Sequence, residues 1–155
     1  MLLDLDYTEL PAPATQAELE ERVCKYIQDY HNVTCVELAK HFGSGDCIIY
    51  QGHNVVVCFG LSDDLCDVLI KMISEHTLML VPGSFLTYAM DGSVMDLPIA
   101  KRVPANGYKD PHWLISNLMP WDRGVNYIQQ VYADNPAELK RMMKLLEKQK
   151  AGVDQ

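Results

Sequence analysis

The chain has 155 residues, room for one ordinary domain and too few for two comfortable ones. Hydrophobic residues make up 48% and charged residues 22%, which excludes wholesale disorder, and a formal charge of −8 disfavours a protein coated in nucleic acid. No stretch approaches the roughly 18 apolar residues of a membrane-spanning helix, and acids stand near the N-terminus where a secretory signal carries Lys or Arg.

Residues 1–14 read as an extended leader ending in Leu10-Pro11-Ala12-Pro13-Ala14. Thr15 with Glu18 three residues on is a capping box that opens a first helix, and Leu19, Val23, Ile27 and Tyr30 recur at helical spacing. The same grammar repeats at Thr34 and Glu37, where Val36, Ala39 and Phe42 fill one face before Gly43 stops the helix. Runs at 47–50 and 54–59 flank Gln51-Gly52-His53 and predict a hairpin. Ser62 caps a third helix with Asp63 and Asp64 in its first turn, an apolar face of Leu65, Val68, Leu69, Met72 and Ile73, and an end near His76.

Leu78–Val81 reads as a strand. The runs 84–90 and 93–99 flank Asp91-Gly92, a dipeptide suited to a type I′ turn, and predict a second hairpin. Residues 100–124 show no usable period; their prolines, glycines and the aromatics Tyr108, Trp113 and Trp121 predict a strap packed over the body. A short helix is expected over 122–133. The last helix has Asn135 as cap, Pro136 in its first turn and a seam of Leu139, Met142, Met143 and Leu146. The five cysteines are odd in number, lack a Cys-x-x-Cys pair and lie inside apolar patterns, so they read as buried free thiols in a reducing cytoplasm.

The segment Val33-Thr34-x-x-Glu37-Leu38-Ala39-x-x-Phe42, the helix near 63–75 and the hairpin around Asp91-Gly92 together resemble a winged-helix domain over residues 15–100. The hairpin at 47–59 is an insertion where the simplest members have only a turn. The resemblance implies DNA binding, with the third helix in the major groove and the hairpin as wing. The outward positions of that helix oppose it: Asp63, Asp64, Asp67 and Glu75 stand against Lys71 alone, and phosphate is repelled by such a face. Only Lys101 and Arg102, just past the wing, are placed to reach a phosphate.

Residues 1–100 hold fifteen acids and four bases, net −11, and residues 101–155 hold six acids and nine bases, net +3. That polarity favours docking of the tail on the body or association of copies. The candidate contact residues are therefore Lys101, Arg102, Lys140, Arg141, Lys144 and Lys148 for nucleic acid or a partner, with Leu139, Met142, Met143 and Leu146 as an interaction surface. The cysteine and histidine spacings match no metal knuckle, and there is no nucleophile elbow or phosphate loop. The expectation is a single α+β domain: a leader (1–14), a winged-helix-like core of three helices plus a hairpin wing with an inserted hairpin (15–100), and a C-terminal strap and helix (101–155). Its expected role is a non-catalytic cytoplasmic interaction or adaptor module that binds a protein partner and self-associates, with no catalytic residue, cofactor or metal. A DNA-binding regulator of winged-helix type is the alternative.

Overall fold

The computed structural model describes residues 12, 13 and 15–154, with side chains as far as Glu147. The leader expected over 1–14 lies outside the described residues except for Ala12 and Pro13.

The helix starts follow their caps. The Thr15 hydroxyl accepts the Glu18 N–H at 3.1 Å to open α1 (Gln16–Asp29), and the Thr34 hydroxyl accepts the Glu37 N–H at 3.1 Å to open α2 (Cys35–Phe42). Each such cap stabilises its helix by about 1 kcal/mol. α1 buries Leu19, Val23, Tyr26 and Ile27, and α2 buries Cys35, Val36, Leu38 and Ala39. The expected hairpin follows as β1 (Ser44–Gln51) and β2 (Val55–Leu61), antiparallel and turned where Gly52 and Asn54 take positive φ. Ser62 Oγ accepts the Leu65 N–H at 3.2 Å and opens α3 (Asp63–Ser74), which leads into β3 (Leu78–Pro82).

The hairpin expected over 84–99 is not formed. Ser84 instead caps α4 (Phe85–Asp91), and Gly92 ends it in the left-handed region at φ 100°, its N–H donating to the Ala89 and Tyr88 carbonyls. A type I′ turn needs positive φ at both central residues, and Asp91 is not among the residues with positive φ. The Asp91 side chain accepts the Thr34 hydroxyl at 2.6 Å, and its carbonyl accepts from the Lys40 ammonium. Tertiary contacts with α2 thus hold the Asp-Gly dipeptide as a helix end.

The strap expected over 100–124 also needs correction, because it carries β4 (His112–Trp113) and β5 (Ser116–Pro120). The chain ends in α5 (Trp121–Val131), α6 (Pro136–Gly152) and β6 (Val153–Asp154). One sheet runs β4-β2-β1-β6, with β4 parallel to β2 and β6 antiparallel to β1; the other is the antiparallel pair β3-β5. β2 is central and buried nearly throughout, hence its continuous Val-Val-Val-Cys-Phe run. Among the described residues, six helices and two small sheets make the architecture α+β.

The main core lies between α1, α2, α3 and the four-stranded sheet, and a second cluster of Met79, Val81, Met119, Ile128 and Leu146 fills the space between β3-β5 and α5-α6. Arg123 of α5 donates to the Gln28 carbonyl at 2.8 Å and to those of Ile27 and Tyr30, a cation on the orphan carbonyls at the end of α1. The free-thiol expectation fails for one pair. Cys47 of β1 and Cys66 of α3 are disulfide-bonded, their Cα atoms 6.5 Å apart, because the first turns of α3 pack on β1. Closing a loop of 19 residues removes unfolded-state entropy worth about 3 kcal/mol. Cys24, Cys35 and Cys58 stay free.

Candidate functional site

Two surface features converge on the segment that follows α4. The first is built around Trp113, which is fully buried and meets Tyr88 edge-on at 5.0 Å and Phe59 edge-on at 5.6 Å. The main chain pins 98–100 to it: the Trp113 N–H donates to the Pro98 carbonyl and the Ala100 N–H to the Trp113 carbonyl, each at 2.8 Å. The Tyr108 hydroxyl donates to the Arg102 carbonyl at 3.1 Å. The backbone carrying Lys101 and Arg102 is therefore fixed while both side chains face water.

Opposite them stands α6. The Asn135 Oδ1 accepts the Glu138 N–H at 3.2 Å, and Leu139, Met142, Met143 and Leu146 turn toward the second core cluster. Arg141 lies one step round the helix and is paired with Glu138, whose carboxyl it holds below the usual range. Between α6 and the 99–103 segment lies a pocket of about 260 Å³, closed by the end of β3 and by Leu114–Ser116. Lys101, Arg102 and Arg141 all line it, and no carboxylate does among the described residues. The rest is chiefly apolar, including Leu80, Ile99, Leu114, Met142 and Leu146.

Of the residues singled out by sequence, then, Lys101, Arg102, Arg141, Met142 and Leu146 come together. Lys140 and Lys144 are exposed on α6 and do not line the pocket, and the Lys148 side chain lies outside the described residues. The seam expected as an interaction surface packs inside the molecule instead: Leu146 is core, and Leu139, Met142 and Met143 lie half-buried against it.

The second feature is α4 itself, which sequence reasoning missed by reading it as a strand. Only Tyr88 of this helix is buried. Phe85, Leu86 and Met90 are 50%, 67% and 79% exposed, and Val94 and Ile99 continue the apolar surface. Phe85 stands 6.1 Å from Trp113, and Ile99, which lines the pocket, bridges to the same residue.

Ser116 Oγ in the pocket wall donates to the Leu114 carbonyl at 2.9 Å. The buried Cys35 Sγ accepts the Phe59 N–H at 3.4 Å, and the Cys58 thiol beside it is pushed up by its hydrogen bond to Cys35 and by burial. Cys24 lies in a shallow groove of α1, where burial and then Glu20 raise its thiol. The face of α3 remains acidic: Asp63, Asp64 and Asp67 are exposed, and Lys71 is paired with Glu20 at 2.9 Å and Glu75 at 3.5 Å. Among the described residues no helix is long and apolar enough to cross a membrane, and no three His, Cys, Asp or Glu residues gather to hold a metal ion. Compared with family models, curated proteins and solved structures, the chain matches none.

Proposed function

We propose that the chain is a non-catalytic interaction module that meets a protein partner through α4, and that a second copy of the chain is that partner. The exposure of Phe85, Leu86 and Met90 on one seven-residue helix carries this reading. Side chains of this size bury on the order of 150–200 Å² each. With Val94 and Ile99 they leave roughly 500 Å² of apolar surface in water, at the upper end for a monomer. A two-fold contact doubles that to about 1,000 Å², the lower bound of a specific interface. The fringe suits such a contact. Asp91, with Lys40 beside it, lies toward the α2 end, and Lys101 and Arg102 lie at the pocket end. A two-fold axis sets each Asp91 end against the other copy's Lys101–Arg102 end.

The cytoplasmic placement rests on the three free thiols, and the Cys47–Cys66 bridge counts against it. The winged-helix resemblance rests on α1, α2 and α3, since a helix stands where the wing was expected. The DNA-binding reading has one observation in its favour, the meeting of Lys101, Arg102 and Arg141 on one pocket; the acids of α3 and the pairing of Arg141 with Glu138 oppose it.

Sedimentation equilibrium over a wide concentration range tests the proposal. The expected result is a reversible dimer that Leu86→Glu and Met90→Glu convert to monomer with unchanged circular dichroism. A wild-type chain that stays monomeric at the highest concentration, or a Leu86→Glu variant that dimerises normally, overturns it. Tight, steeply salt-dependent binding of random duplex DNA by the monomer moves the function to the DNA reading.

A further inference from the structure

The contact through α4 leaves the pocket beside it unused. We propose that this pocket binds a small amphipathic carboxylate, a single anionic head on an apolar body of roughly a dozen non-hydrogen atoms.

The division of the lining argues for an amphipathic ligand. Lys101 and Arg102 are exposed at the mouth, while Leu80 and Leu146 are buried beneath. A purely apolar ligand gains nothing from the mouth, and a bare phosphate gains nothing from the floor.

The sign of the head follows from the charges. Three cations from two distant stretches of chain line one pocket of 260 Å³, and no lining acid offsets them among the described residues. Arg141 has Glu138 at its side. Lys101 and Arg102 form no ion pair among the described residues, so both are available to an incoming anion. Carboxylates suit this arrangement because guanidinium groups take them in paired, charge-assisted hydrogen bonds.

The apolar body of the ligand meets a wall whose Ser116 is already partnered on both its hydroxyl and its carbonyl. The Ser116 hydroxyl is given to the Leu114 carbonyl, and the Ser116 carbonyl is taken by the Tyr88 hydroxyl at 2.6 Å. The wall therefore presents chiefly apolar side chains, with Gln51 and Tyr132 as its other polar members beside Ser116 and the three cations. The size excludes a folded domain or a long acyl chain, and 260 Å³ sits just below the usual range of small-molecule pockets.

Decanoate and decanol, of equal chain length and different charge, are the probes. Each is titrated into the isotopically labelled full-length chain, in the wild type and in the Leu86→Glu background, so that loss of self-association and loss of ligand binding are read separately. Decanoate is expected to shift amides of 99–103, 114–116 and 141–146 saturably, and decanol to bind at least about tenfold more weakly. Lys101→Glu and Arg102→Glu, both at exposed positions, are expected to weaken decanoate by about tenfold each and to leave decanol unchanged. Met142→Trp, which fills the pocket, is expected to abolish both. Equal binding of the two probes, shifts centred on Phe85–Met90, or indifference to both charge reversals overturns the proposal.

Discussion

Tyr88→Phe is the sharpest probe of how α4 is held. Tyr88 is fully buried and is the one residue of that helix that is. Its hydroxyl donates to the Ser116 carbonyl at 2.6 Å and accepts the Cys35 N–H at 3.4 Å, so a single oxygen ties α4 to the wall of the pocket and to the first turn of α2. Burial raises the phenol well above its usual range, so it stays a donor at any working pH. Phenylalanine keeps the ring and its edge-on contact with Trp113 but leaves the carbonyl of a residue only 4% exposed without its donor. An orphaned buried acceptor costs about 1–3 kcal/mol. We expect about 2 kcal/mol in urea denaturation with an unchanged m-value, or about 4–8 °C in Tm for a chain of this length. Tyr88→Ala, which also opens a cavity, is expected to cost about 3–5 kcal/mol. Amide exchange adds the local readout: α4 amides should lose protection in Tyr88→Phe before those of α3 do. A Tyr88→Phe chain within about 0.5 kcal/mol of wild type, with α4 protection intact, refutes the anchoring argument.

Two further outcomes follow from the packing. At Gly124, where α5 lies on β3, an added Cβ comes within 3.0 Å of the Met79 Cβ and 3.1 Å of its Cγ. Alanine gains up to about 1 kcal/mol of helix propensity and overpacks by more, so Gly124→Ala should lose about 1–2 kcal/mol net in thermal unfolding; a stabilised variant contradicts the close approach. The Glu37 carboxyl accepts the Tyr26 hydroxyl at 2.5 Å, and burial lifts it above its ordinary 4.5, with the Tyr26 hydroxyl and Lys40 opposing and Asp91 adding to the rise. The fold thus prefers the protonated form, whose contribution is complete below pH 4.5 and is lost as pH rises through the higher folded value. Tm of Glu37→Gln relative to wild type should therefore climb above pH 4.5 and then level off, and a flat or falling difference rules the argument out.

Elements specified by neighbours in sequence were legible, and those specified by neighbours in space were not. Thr15, Thr34, Ser62 and Asn135 each cap the helix assigned to them, because a cap is settled within four residues. β5 was hidden because its Ser116 and Asn117 are buried polar residues, so the strand carries no alternation. The Cys47–Cys66 bridge has no motif, since its geometry is made by α3 lying on β1. Half of the candidate site was visible as charge: Lys101, Arg102 and Arg141 stood out, but their meeting depends on how residues 93–98 travel. The exposed face of α4 was concealed by the dipeptide Asp91-Gly92, which serves a tight hairpin and a left-handed helix end equally well. The discriminating signal was present in Ser84 as an N-cap and in the lack of strict alternation from Phe85 to Met90.

That one local choice builds both surfaces. In a hairpin, residues 93–99 run back along 84–90, Phe85 and Leu86 fall on opposite faces, and Lys101 returns opposite Pro82. With Gly92 ending a helix, the chain is released from strand pairing and is caught instead by Trp113, through its carbonyl to Ala100 and its N–H to Pro98. The same indole backs Phe85 and sets Ile99 at its edge. Helix formation at 85–91 therefore displays the apolar face and, ten residues on, delivers Lys101 and Arg102 opposite Arg141. The two sites are structurally coupled through Tyr88 as well, since its hydroxyl grips the Ser116 carbonyl in the pocket wall. A ligand that shifts Ile99 at the pocket mouth acts on the edge of the surface where a second copy would sit, and thermodynamic reciprocity requires that association then act equally on the pocket.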